Sequence, residues 1–221
     1  MRDFARPDVM AQAAGAAVLG TAACLPRLLL WTSAPGAVWV LATVLGWCIF
    51  VLWCFVFAWS EIHGAVRPFV TSAEPPFWLK LTAASAAAGV LLVLLADPEY
   101  RRLFPAESPA NLRHWTAGVL FNLSLQQLFF CFAPYAFFSR LGAGPQTALG
   151  LTVGLSLSVL TMKIDRAPFE PSAFGIVAMV IARGSLTAAG VLLYRRAGVA
   201  AVWWMALVLQ CRHLPRLFTA D

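Results

Sequence analysis

The strongest constraint on the fold of this chain is an apolar run without a single charged residue, Gly36–Trp59. The run is 24 residues long, and a helix needs about 20 apolar residues to cross the hydrocarbon core of a bilayer. Trp31, Trp39 and Trp59 lie near its ends, where aromatic belts form at the membrane surface. Over the whole chain only 12% of residues are charged, against about 25% in soluble domains. The sequence therefore predicts a membrane protein and excludes a single water-soluble core.

Further apolar runs predict an all-α fold, a polytopic membrane helix bundle of six or seven transmembrane helices in a single domain over residues 1–221. The predicted spans cover about residues 9–31, 36–59, 78–96, 115–138, 146–162, 172–194 and 198–211. The first follows Arg2 and Arg6 and resembles a signal peptide. Because apolar sequence resumes directly after Cys24, we expect an uncleaved first helix.

The basic residues indicate contact with lipid and not with nucleic acid. The formal net charge is +6, but the basic residues lie mostly between the apolar runs, where they anchor helices at the headgroups. Five cysteines without a CxxC pair give no disulfide scaffold and no zinc ribbon. No HExxH spacing is present. We expect no cofactor and no metal site.

Polar side chains inside the spans are the strongest functional clues, because each is costly in lipid unless it finds a partner. Gln126 and Gln127 lie deep in the fourth span. Since adjacent residues on an α-helix point about 100° apart, one glutamine is expected to face a neighbouring helix and the other a cavity. The simpler interpretation is an amide clamp between helices. Arg183 lies in the middle of the sixth span, so its guanidinium faces the bundle interior, or the helix is shifted and places it at headgroup level.

Residues 122–214 contain three stretches whose polar and helix-ending residues follow a recognisable order. The first is QQLFFCF at 126–132, followed by Pro134 and by SRLG at 139–142; the second is 156–163; the third is LYRRAG at 193–198 with Trp203. This series resembles the CAAX-protease and bacteriocin-processing family of intramembrane proteases (the CPBP or Abi family). The resemblance implies a helical protease core within the membrane. It also implies substrates that are lipidated, bacteriocin-like or anchored by a C-terminal sorting segment.

The resemblance also implies a catalytic set that this chain lacks. The family has paired glutamates where this chain has Gln126 and Gln127, an arginine where it has Cys131, and a histidine near the helix end at Lys163. A later histidine and asparagine correspond to Leu209 or Gln210 and to His213 or Leu214. The degenerate motif positions are therefore Gln126, Gln127, Cys131, Lys163, Gln210 and His213.

In the family the glutamates and histidines are thought to activate water for peptide cleavage. A glutamine side chain cannot accept a proton near neutral pH. Loss of the carboxylates together with the arginine is self-consistent, because the arginine would otherwise be a buried, unpaired cation.

Three functions follow from these observations. The leading hypothesis is a catalytically degenerate relative of the family in the bacterial inner (plasma) membrane. It would bind a membrane-embedded peptide or a protease partner, in protein sorting or processing. The second is an active intramembrane endopeptidase with a rearranged site supplied by His213, Glu61 or His63. The third is a small multipass transporter or assembly subunit with Arg183 in its pathway.

Overall fold

The structure is a computed structural model that describes residues 6–32, 34–63 and 73–218, and their regular secondary structure is helical throughout. The α-helices are α1 Pro7–Trp31, α2 Pro35–His63, α3 Pro75–Leu95, α4 Asp97–Leu103, α5 Leu112–Phe121, α6 Ala133–Arg140, α7 Pro145–Ile164, α8 Ala173–Gln210 and α9 Leu214–Phe218. Two π-helical segments, Asn122–Gln126 and Leu128–Phe132, join α5 to α6. The predicted all-α membrane bundle is confirmed.

Six helical stretches in the described part of the chain are long and apolar enough to cross a membrane. The last, Ala173–Phe218, is folded back on itself at Gly198, whose φ of 77° and ψ of −172° leave the helical region. Only glycine adopts this conformation readily. A methyl group on Gly190 would lie 3.7 Å from a methyl of Val202 and 3.9 Å from that of Met205. The stretches before and after Gly198 therefore pack side by side as two arms of a hairpin, in agreement with the sixth and seventh predicted spans.

Both ends of this hairpin return to the same end of the bundle. The backbone N–H of Ser172 donates to Glu99 of α4, and the side chain of Arg212 donates to Asp97 of the same helix. The indole of Trp115 donates to the backbone carbonyl of Gln210 at 2.9 Å. This end of the bundle, named here the α4 end, therefore holds most of the charged contacts described below.

Residues 97–114 lie between the third and fourth predicted spans, and the first part of this stretch is helical. Asp97–Leu103 forms α4, and Pro105–Glu107 forms a 3₁₀ turn. Acidic residues occupy the first turn of α4, and Arg101 and Arg102 occupy its last turn, which complements the helix dipole at both ends. The apolar-run criterion detects only membrane spans, so it missed this short, charged helix.

Small residues allow the first two spans to pack closely. A methyl group on Gly46 would lie 3.1 Å from the hydroxyl oxygen of Thr21, and one on Gly20 would lie 3.3 Å from a methyl of Ile49. Close backbone approach is the usual means of helix association in lipid. Aromatic side chains also pack in the core between the other spans, where Phe132 and Tyr194 are fully buried against each other.

Candidate functional site

The span that carries the two glutamines is widened into π-helix at its centre. The backbone N–H of Gln127 bonds to the carbonyl of Asn122, and that of Ala133 bonds to the carbonyl of Leu128, both five residues back. Pro134 gives a physical reason for the second widened turn, since proline lacks an N–H and its ring clashes with the carbonyl four residues earlier. Such π-helical turns are rare and occur frequently at functional sites. This widening therefore marks the glutamines as a candidate site.

The π geometry brings both glutamines to one asparagine. The side-chain Nδ2 of Asn122 donates to Oε1 of Gln126 at 2.6 Å, and Nε2 of Gln127 donates to Oδ1 of Asn122 at 3.0 Å. In an α-helix, residues five apart lie about 140° apart around the axis and do not meet. The side-chain bond between residues 127 and 122 thus depends on the same five-residue offset as the backbone bond.

Two expectations about the glutamines are corrected by these contacts. Their side chains do not diverge to a helix and a cavity, because both bond to Asn122. Their hydrogen bonds lie within one helix, so Gln126 and Gln127 are not a clamp between helices. The physical reason is the widened turn, which the 100° rule for an α-helix does not describe.

This group of three amides, named here the amide triad (Asn122, Gln126 and Gln127), leaves hydrogen-bonding groups unused. The NH₂ group of Gln126 and the carbonyl oxygen of Gln127 have no hydrogen-bond partner among the described residues. All three side chains are partly exposed. The triad therefore leaves a donor group free on Gln126 and an acceptor free on Gln127, the next residue. The amide group of a peptide offers the complementary pair.

The amide triad has no ionisable partner among the described residues: no carboxylate, histidine, lysine or arginine hydrogen bonds to it. Cys131, one turn further along, is buried against α8, where a methyl group on Gly190 would lie 3.0 Å from its sulfur. A thiol fits this close helix contact, whereas an arginine would not. These contacts contain no group that accepts a proton at neutral pH.

Lys163 lies in a separate group at the α4 end. Its Nζ donates to the carboxylate of Glu107 at 2.5 Å and to the hydroxyl of Tyr100 at 2.6 Å, and it lies 4.4 Å from the ring centre of Phe104. The Tyr100 hydroxyl donates in turn to Glu107. Burial, and then the Glu107 carboxylate, raise the pKa of Tyr100 well above its usual range. Lys163 is thus paired, and its contacts do not include the amide triad.

His213 and Gln210 also lie at the α4 end. The ring Nδ1 of His213 is 3.1 Å from Nη2 of Arg101 and 3.9 Å from a carboxylate oxygen of Asp97. Because arginine only donates, Nδ1 must be the accepting nitrogen in the contact with Arg101. Gln210 is engaged through its backbone by Trp115. The structure therefore brings together Gln126 and Gln127 among the six motif positions, while the contacts of Lys163, Gln210 and His213 lie elsewhere.

Asp97 is the residue of this end that sequence reasoning missed. Its carboxylate is nearly buried and accepts a hydrogen bond from Nε of Arg212 at 3.1 Å. The same carboxylate lies 3.9 Å from Nη2 of Arg101. The two partners of the closer pair are 115 residues apart in the chain. An isolated aspartate at the edge of an apolar run carries no signal for such a partner. The pair ties the second arm of the α8 hairpin to α4.

Arg183 faces the neighbouring helices of the bundle. Its Nε donates to the hydroxyl of Ser156 on α7 at 2.7 Å, and its guanidinium carbon lies 4.0 Å from the ring centre of Phe130 in the second π-helical segment. The hydroxyl of Thr187 donates to the same Ser156 oxygen at 3.0 Å. No carboxylate pairs with this guanidinium within the described residues.

Other candidate groups give no further site. The side chains of Glu61 and His63 lie outside the described part of the molecule. No cluster of three histidine, cysteine, aspartate or glutamate residues with the spacing of a metal site occurs within residues 6–32, 34–63 and 73–218. A shallow, open depression on α2 is lined by Trp39, Val40, Thr43 and Val44 and includes none of the six motif positions. Comparison with protein families, curated proteins and solved structures finds no match to this chain.

Proposed function

We propose that this chain is a membrane-embedded, non-catalytic binding protein whose amide triad holds a peptide segment within the bilayer. The observation that carries the proposal is that Gln126 and Gln127 both bond to Asn122 in a π-helical turn, leaving a donor of Gln126 and an acceptor of Gln127 unused, with no ionisable partner among the described residues. In lipid, a polar group on an incoming helix has no water to bond to, so a complementary amide favours its association. The same neutral set has no general base for peptide hydrolysis.

Descent from the CAAX-protease and bacteriocin-processing family is part of this proposal, and it rests on the sequence resemblance over residues 122–214. In that resemblance the glutamines correspond to the family's paired glutamates. The turn at Gly198 ends the first arm of α8 at the glycine of the LYRRAG stretch. On this proposal the chain acts in the bacterial plasma membrane, in the sorting or processing of a membrane-anchored peptide. The alternative binding partner is a protease that acts on the same peptide.

A binding assay on the full chain in lipid nanodiscs tests the proposal. The probe is a fluorescent peptide of about 20 residues, made of leucine and alanine with one central asparagine. The matched control peptide carries leucine in place of that asparagine. Interhelical hydrogen bonds in membranes contribute about 0.6–1.7 kcal/mol. The asparagine peptide should therefore bind about three- to twenty-fold more tightly than the control.

Variants then assign this preference to the triad. Gln127→Leu removes one of the two free groups, so it should weaken the preference for the asparagine peptide, and the double variant Gln126→Leu, Gln127→Leu should abolish it while leaving the weaker binding of the leucine peptide. Thr43→Val is the matched control, since Thr43 is a lipid-facing polar residue on α2 that bonds only to its own helix. That variant should keep the full preference. Equal binding of both peptides to the unmodified chain would contradict the proposal.

The same assay separates binding from catalysis. Peptide recovered from the nanodiscs should be intact by mass spectrometry. Cleavage of the probe that disappears in Gln126→Leu or Gln127→Leu would overturn the non-catalytic assignment. It would favour an active endopeptidase with a rearranged site.

A further inference from the structure

Arg183 is a cation within an apolar span and has no anionic partner among the described residues. It lies ten residues beyond Ala173, the first residue of α8. At 1.5 Å per residue this is about 15 Å along the helix, close to half of the roughly 30 Å hydrocarbon core. Ser156, its partner, lies eight residues before Ile164, the last residue of α7. Its contacts place the guanidinium between α7 and the second π-helical segment, away from the ends of both spans.

The contacts of Arg183 leave one edge of its guanidinium unused. Nε is taken by the Ser156 hydroxyl, and one face of the group lies on the ring of Phe130. Thr187 donates to Ser156, so the serine oxygen is polarised towards the arginine. The terminal nitrogens Nη1 and Nη2 have no acceptor among the described residues, and the side chain is partly exposed. These two nitrogens form the planar fork that binds a carboxylate through two parallel hydrogen bonds.

A buried or lipid-embedded charge without a counter-ion is costly. The carboxylate of Glu107 at the α4 end does not relieve this cost, since it is engaged by Lys163 and Tyr100. The polar residues that do contact Arg183, Ser156 and Thr187, are neutral. The site thus has a positive charge, a guanidinium oriented by Ser156 and Phe130, and an open bidentate edge.

We propose that Arg183, with Ser156, Thr187 and Phe130, forms a binding site for the carboxylate of a single-chain amphiphile such as a fatty acid. The apolar surroundings of the site favour this chemistry. A carboxylic acid can leave water in its neutral form or return its proton to water as it pairs with the guanidinium, whereas a phosphodiester carries its charge throughout. The ligand's chain would lie among the lipid-facing residues of α7 and α8. The proposal depends on Arg183 and not on the amide triad.

Binding of a fluorescent fatty acid to the full chain in detergent micelles tests this site, with the methyl ester of the same molecule as the matched neutral probe. The acid should bind at least about thirty-fold more tightly than the ester, as expected for a charge pair that is removed on one side. Arg183→Met should remove that difference. Arg183→Lys keeps the charge but not the planar fork, so it should retain only part of it.

Two further variants complete the binding test. Arg27→Met is the control variant, since Arg27 is also in an apolar span and lies 5.4 Å from the ring centre of Trp31; it should bind the acid as the unmodified chain does. Ser156→Ala tests the site if Arg183→Met does not fold, and it should weaken acid binding without changing ester binding. Equal affinity for acid and ester would overturn the proposal, as would an equal loss in Arg27→Met.

Competition identifies the source of the anion. A hydrophobic peptide with a free C-terminal carboxylate, its amidated form, and phosphatidic acid are each added against the bound fatty acid. Weak competition by all three supports a fatty-acid-like ligand. Displacement by the free peptide acid at a tenth of the concentration needed for unlabelled fatty acid would overturn the choice of a lipid. Equally strong displacement by phosphatidic acid would overturn the choice of a carboxylate.

Discussion

Replacing Asp97 by alanine should be the most destabilising single change at the α4 end. Its side chain is only 6% exposed, and that of its partner Arg212 is 18% exposed. The carboxylate accepts from Nε of Arg212 at 3.1 Å and lies 3.9 Å from Arg101. Removing it leaves two positive charges side by side in a largely buried place. The bond from Arg212 to the Leu209 carbonyl, 2.8 Å long, is retained.

Breaking a buried ion pair on one side costs about 3–5 kcal/mol. We expect about 3 kcal/mol for Asp97→Ala, because Arg212 keeps its carbonyl partner and lies at the end of the bundle. For a chain of this size that corresponds to a fall in Tm of roughly 6–12 °C. Thermal unfolding in detergent, followed by circular dichroism, measures the change. Asp8→Ala is the matched control, since Asp8 forms an exposed ion pair with Arg6, and its Tm should not change measurably.

A double-mutant cycle distinguishes an ion pair from general packing. Arg212→Met removes the guanidinium but keeps an apolar side chain of similar length. Combined with Asp97→Ala, it removes the unpaired charge, so the double variant should be more stable than Asp97→Ala alone. Additive losses from the two substitutions would refute the reasoning, because they would show that the carboxylate and the guanidinium do not interact.

Three other expectations follow from the structure. Gly198→Ala should lower the free energy of unfolding by about 1–3 kcal/mol, because the turn of the α8 hairpin requires a positive φ; Gly15→Ala, in an open helical position, should not lower it. The Arg102 hydrogen bond, and then the Ser172 backbone, lower the pKa of Glu99 below its ordinary value of 4.5. The stability that Glu99 contributes is therefore present above that pH and lost as the pH falls through its folded-state pKa. Acid titration of unfolding should show this loss in the unmodified chain and not in Glu99→Gln. Tyr100→Phe removes two hydrogen bonds to charged groups and should cost about 1.5 kcal/mol in chemical unfolding; no change would show that these bonds do not contribute to stability.

The spans were predictable because a bilayer requires long apolar runs, and Gly36–Trp59 meets that requirement from composition alone. The fold-back at Gly198 was also within reach, since the sequence places Arg195 and Arg196 between two apolar runs. The polar residues of the candidate site were found for the same reason, because Gln126 and Gln127 stand out in an apolar context.

The geometry of the site was not predictable from the sequence. The π-helical turns shift the register by one residue, and no periodicity rule for an α-helix anticipates that Asn122 meets both glutamines. Contacts across long sequence distances were also missed. Ser156 and Arg183 are 27 residues apart, on different helices, and nothing in either span indicates the other.

The most direct test of the account is photocrosslinking next to the amide triad. A benzophenone amino acid replaces Phe130, one turn beyond Gln126, and a second variant carries it in place of Trp39, which is 67% exposed on α2. Both are illuminated in nanodiscs with the central-asparagine peptide. We expect a peptide adduct at position 130 that excess unlabelled peptide displaces, and no displaceable adduct at position 39. Adducts to lipid alone at position 130, or equal and non-displaceable peptide yields at both positions, would contradict this expectation.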